Sequence, residues 1–127
     1  MNEKLPTMDD LDKVLLDLGF KEVTKDLPIS FCETIQGWGN LFHLFKRYAR
    51  TKDGMTTLLN IGGDSHYRLQ FTGMSVFEGC SNQFASEIHK KDFELVVKYV
   101  NANEEHVRGL VLAERLRKTI ELIERIQ

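Results

Sequence analysis

Cysteine is scarce in this chain. Cys32 and Cys80 stand with 47 residues between them, and no CxxC pair occurs. That excludes a zinc knuckle and a thioredoxin-type redox pair, and two isolated thiols in a well-cored chain fit a reducing compartment. Proline is equally scarce, with 2 in 127 residues, so there is no proline-rich linker. The longest unbroken apolar run is Leu110 to Ala113, four residues, against the roughly 20 that span a bilayer as a helix. Residues 1–10 have neither the basic start nor the apolar centre of a secretory leader. The expected location is the cytoplasm. Charge of one sign is also missing. A net charge of −2 exerts no global pull on nucleic acid or anionic membrane.

What is present is the composition of a globular domain. Hydrophobic residues make up 42% and charged residues 28%, which argues against a largely disordered chain. A length of 127 residues fits one domain, read as 1–127, large enough to fold without a metal or disulfide staple.

Patterning divides the chain. Leu11, Val14, Leu15 and Leu18 recur at i, i+3, i+4 and i+7, after Thr7 as N-cap and with Asp9, Asp10 and Asp12 near the first turn. This spacing predicts an amphipathic helix ended by Gly19. The centre carries turn clusters at 37–40, 51–54 and 62–65. They separate Ile29–Gln36, Leu41–Arg50, Met55–Ile61 and His66–Gly73, all rich in β-branched and aromatic residues. That punctuation predicts a β-meander, with Asp53-Gly54 as a hairpin turn. Residues 41–50 also fit a helical stripe through Leu41, Leu44, Phe45 and Tyr48; the turn that follows favours strand. Alternation at 66–71 places Tyr67, Leu69 and Phe71 on a core face. Val76-Phe77 and Gln83–His89 add short strands. Two helices follow. One is marked by Phe93, Val96, Val97 and Val100, and Asn101-Ala102-Asn103 interrupts it. The other begins near Glu104. The expected fold is therefore α+β: an N-terminal helix, an antiparallel meander of about four to five strands, and two C-terminal helices on one face of the sheet.

Recognised chemistry is sparse. His43, His66, His89 and His106 show no i, i+3 or i, i+4 pairing and no HExxH, so they read as separate side chains and no metal or cofactor is expected. Asp64, Ser65 and His66 are adjacent but lack a nucleophile elbow, and strand neighbours point to opposite faces, so they read as a turn. Gly62-Gly63 is not followed by the Lys-Ser/Thr of a phosphate-binding loop. Cys32 reads as a small buried hydrophobe and Cys80 as a loop residue. With no catalytic motif, an enzyme is not the favoured reading.

Two features point to partners. The apolar residues Leu112, Leu116, Ile120, Ile123 and Ile126 mark one side of the last helix, and Leu110, Val111 and Leu122 widen it beyond what one stripe needs. The expectation is a non-enzymatic protein-interaction module, homodimeric through this helix. The second feature is a basic island. Residues 37–71 carry a balance of +3 between acidic flanks, through Lys46, Arg47, Arg50, Lys52 and Arg68, interleaved with aromatics. The alternative expectation is nucleic-acid binding by phosphate neutralisation and base stacking. A second alternative is a small-ligand binder or enzyme with a pocket between sheet and helices, converging on His43, Arg68 or Glu33.

Overall fold

The computed structural model describes residues 7–23, 44–63 and 67–126. Helix α1 spans Met8–Asp17, and a two-residue strand β1, Lys21–Glu22, follows. Four long strands come next: β2 Leu44–Lys52, β3 Met55–Gly63, β4 Arg68–Phe77 and β5 Cys80–His89. A 3-10 turn at Lys90–Asp92 then leads into helix α2, Leu95–Ile126. The sheet is antiparallel throughout, in the order β1-β2-β3-β4-β5. The α+β reading and the meander therefore hold for the described residues. Residues 44–50 are strand, as the following turn suggests. The expected strand Ile29–Gln36 lies outside the described residues.

Thr7 caps α1 reciprocally. Its hydroxyl accepts from the Asp10 backbone N–H at 3.3 Å, and the Asp10 carboxylate accepts from the Thr7 N–H at 2.8 Å. The Thr7 backbone N–H holds Asp10 below its ordinary value of 3.8. A depressed carboxylate stabilises the fold above its unfolded pKa and loses that contribution as pH falls through the folded one. Amide signals of α1 followed by NMR should thus begin to fray below about pH 4, ahead of the strands. Simultaneous loss of all signals would refute this.

The two hairpins at one end of the sheet turn on residues with positive φ. Asp53 and Gly54 have φ of 52° and 82°, and Glu78 and Gly79 have 47° and 81°. Both central residues are left-handed, as in the type I′ turns that match strand twist. The second turn makes β4 and β5 ten residues each, longer than the short strands expected at 76–77 and 83–89, and puts Cys80 in a strand rather than a loop.

Both helices pack on one sheet face. Leu11 and Leu15 of α1, Phe20, Tyr48, Leu59, Ile61, Leu69, Phe71, and Val96 and Val100 of α2 form a continuous buried cluster, with Phe84, Ile88 and Phe93 against it. The buried Tyr48 phenol donates to Asp12 of α1 at 2.6 Å. Burial and that carboxylate push its pKa well above the ordinary phenol range. Leu69 and Phe71 face this core as expected. Tyr67 does not. It precedes β4, is exposed, and stacks on His89 at 5.7 Å between ring centroids.

The expectation of two C-terminal helices is wrong. A single helix of 32 residues runs from Leu95 to Ile126, straight through Asn101-Ala102-Asn103. The reason is tertiary. Asn103 and Glu104 are buried against the sheet, where polar partners hold their side chains, so they neither cap nor break the helix.

Candidate functional site

Those partners form a row across the sheet. Arg50 on β2 lies opposite Thr57 on β3, Thr57 opposite Ser75 on β4, and Ser75 opposite Asn82 on β5. Period-two alternation puts the four side chains on the helix-packed face. Arg50 donates to Glu104 of α2 at 2.7 Å, to the Leu18 carbonyl at 3.0 Å, and lies 4.5 Å over the Phe20 ring. Thr57 donates to the other oxygen of Glu104 and shares a 2.9 Å hydrogen bond with Ser75. Asn103 donates to Ser75 at 2.9 Å and to the Asn82 carbonyl at 3.2 Å, and accepts from the Asn82 amide at 2.6 Å. One connected set of bonds thus ties α2 to four strands and to the end of α1. A shift of α2 by one residue would take Glu104 away from Arg50, so the row sets the helix's position along the sheet. Its members are buried or half-buried and bond chiefly to one another, with the Arg50 Nε left over, which is the chemistry of a tether rather than of a reaction centre.

Past this row Met55, Val107 and Val111 are buried. Then the helix runs on without burial. Val111 is the last buried residue of α2, and Arg115 is the last with a partner outside the helix among the described residues: it pairs with Glu78 at the β4–β5 turn. Residues 112–126 extend about 22 Å at 1.5 Å per residue. Along them Leu112 and Leu116 are each 61% exposed, Ile120 47%, Ile123 51% and Ile126 84%.

Helical geometry places these residues on the side of α2 turned away from the sheet. Leu116 follows Val107 by nine residues, which at about 100° per residue is half a turn round the axis. On that same outward side the first half of the helix carries Lys98, Asn101 and Glu105, all exposed. The side is polar where α2 lies on the sheet and becomes apolar where it leaves it. The seam is therefore a second apolar surface, separate from the stripe of Val96, Val100, Val107 and Val111 that builds the core. Four of the five residues singled out in the sequence lie on it, and Ile126, about a quarter turn from Val107, lies at its edge. Val111, grouped with them in the sequence, belongs to the core.

The basic island is not gathered on one surface. Lys46 pairs with Asp12 and Glu22 at 3.6 and 3.4 Å, and Arg50 is committed to Glu104. Arg47 is buried on the opposite sheet face. Arg68 pairs with Glu87 at 2.5 Å. Lys52 is exposed at the β2–β3 turn.

Of the residues proposed to line a pocket, His43 and Glu33 lie outside the described residues, as do Cys32 and Asp64-Ser65-His66. Arg68 sits on the sheet face away from the helices. An open depression of about 330 Å³ lies instead at the β1–β2 edge, lined by Gly19, Lys21, Val23, Ala49, Arg50 and Thr51. His89 caps the 3-10 turn, its Nδ1 accepting from the Lys91 N–H at 3.1 Å. Among the described residues no three His, Cys, Asp or Glu side chains converge as metal ligands, and no helix is long and apolar enough to cross a membrane.

Sequence reasoning missed Asn103 and Glu104. The available signal was their spacing from Val96, Val100 and Val107, which places both at the margins of the buried stripe. Comparison with protein-family models, with curated proteins and with solved structures found no match, so the reading of this chain rests on its own geometry.

Proposed function

We propose that the protein is a protein-interaction module whose docking element is the outward side of α2 from Leu112 to Ile126. The observation that carries this reading is the change of that side from polar to apolar where the helix leaves the sheet. Exposed apolar residues are ordinary when scattered; a contiguous row of large aliphatic side chains on one side of a projecting helix marks a surface that a partner covers. The helix is ready for such a partner. Its first half is already nucleated and held by the sheet, so the second half can present the seam without the cost of starting a helix. Helix-in-groove and helix-on-helix recognition both read apolar anchors at this spacing.

The test is a variant carrying Leu116→Ser and Ile123→Ser. Both positions are exposed, so the fold should survive, as checked by far-UV circular dichroism. Binding of protein partners, whether a second copy in solution or a protein captured from nuclease-treated lysate, should fall by at least about tenfold on losing two apolar anchors. Equal binding by the variant and the parent chain would overturn the reading.

A further inference from the structure

The seam residues do not stand alone. Viewed down α2, Arg117 and Glu124 lie on one flank of the seam, and Arg115 and Leu122 lie on the other. Each flank has its own charge pattern, and that pattern discriminates between ways of covering the seam.

We infer that the partner is a second copy of this chain, with the two projecting helices packed antiparallel. This rests on the reading above that the seam is a docking surface. Two antiparallel helices related by a two-fold axis bring like flank against like flank. With the axis near Ile120, Arg117 of each chain lies beside Glu124 of the partner subunit, and the contact is made twice. The apolar row is self-complementary under the same operation, because Leu116 and Ile123 sit at similar distances on either side of Ile120.

A parallel pair does the opposite. It sets the Arg117 flank of one helix against the Arg115 flank of the other, so arginines meet and Glu124 faces Leu122. Charge complementarity thus selects the antiparallel arrangement. Antiparallel packing also places the two sheets at opposite ends of the paired helices, where they do not compete for space. Arg115 remains available for its own Glu78, and Arg117 keeps acidic neighbours within its helix in Glu114 and Glu121.

The experiment is sedimentation equilibrium of the full chain under reducing conditions, from low to high micromolar concentration. The parent chain should move from the mass of one chain toward that of two, and the Leu116→Ser, Ile123→Ser variant should stay at one. Glu124→Arg should raise the dimer dissociation constant roughly three- to tenfold, by replacing two attractive contacts with two repulsive ones. Arg117→Glu combined with Glu124→Arg restores opposite charges in the antiparallel pair and should return the constant to within about twofold of the parent, whereas in a parallel pair the same change would set a carboxylate against Arg115 and tighten the dimer beyond the parent. Far-UV circular dichroism checks that Arg117→Glu, which loses its bonds to Glu114 and Glu121, leaves the helix intact.

A parent chain that holds the mass of one chain at every concentration overturns self-pairing. The docking reading would then stand only if capture of a different protein depended on Leu116 and Ile123. A dimer insensitive to Glu124→Arg overturns the antiparallel geometry. A dimer that survives the seam variant overturns both.

Discussion

Glu104→Ala should destabilise the protein by about 3–5 kcal/mol, the cost of leaving one member of a buried ion pair uncompensated. The Arg50 and Glu104 side chains are 7% and 6% exposed. Without the carboxylate, Arg50 keeps only the Leu18 carbonyl and the face of the Phe20 ring, and the Thr57 hydroxyl retains Ser75 alone. Urea denaturation monitored by circular dichroism measures the loss. Glu104→Gln should recover part of it, because an amide can still accept from Arg50 while the charge remains unbalanced.

Arg50→Met with Glu104→Leu should come much closer to the parent chain than either single change, since a well-packed apolar pair of similar volume removes both desolvation penalties. The apolar pair tests a second point. If the polar row sets where α2 lies along the sheet, the double variant should keep its stability while the α2 amide signals broaden. A single Glu104→Ala costing under about 1 kcal/mol would mean that water already screens the pair, and would sink the account of the row as a tether.

Gly73→Ala should be nearly as damaging, for a steric reason. Gly73 lies opposite Phe84 on the neighbouring strand. A Cβ at this position would sit 2.3 and 2.5 Å from two atoms of the Phe84 ring and 2.8 Å from the Leu58 carbonyl oxygen. The ring can swing, although it packs edge-on to Phe71 at 6.2 Å and would give up that contact. The carbonyl cannot move without disturbing the β3–β4 ladder. Overpacking of this kind costs about 1–3 kcal/mol or somewhat more.

A companion Phe84→Leu substitution separates the two clashes. Placed in the Gly73→Ala background it should restore part of the lost stability but not all, because the Leu58 contact persists. Thermal unfolding of the four proteins in this cycle gives the coupling directly. Additive effects would show that the ring does not set the limit. An unchanged melting temperature for Gly73→Ala alone would show that the strands relax more easily than the register implies.

Much of the fold is legible because it is local. The stripe through Leu11 and Leu15, with Thr7 and Asp10 at its start, is read within a dozen residues, and the structure holds both the capping box and the buried leucines. Asp53-Gly54 announces its turn through a residue pair that tolerates positive φ. Glu78-Gly79 makes the same turn without announcing it, since glutamate has no special preference for a φ of 47°. The β4–β5 hairpin is therefore longer than its local signals predict, and Cys80 lies in a strand where they predict a loop.

The apolar seam was legible for the same local reason, as an excess of aliphatic residues over what one stripe needs. Its position was not. Whether Leu112 and Leu116 fill the core or leave it depends on where the sheet ends beneath the helix, and only the assembled hairpin turns decide that.

The sequence by itself determined the α+β class, the antiparallel meander of the described strands and the amphipathic stripes of α1 and of the first half of α2. These follow from side-chain periodicity and turn chemistry within short windows. The tertiary structure alone decided that the C-terminal helix is one and not two. It also decided that three of the island's basic residues, Lys46, Arg50 and Arg68, hold carboxylates, and that the apolar seam faces outward. Each of these turns on a partner distant in sequence: Glu104 lies 54 residues from Arg50, and Asn103 lies 28 from Ser75. A polar residue in a helix reads as a break, and a run of basic residues reads as a patch, until the groups that neutralise them are brought across the sheet.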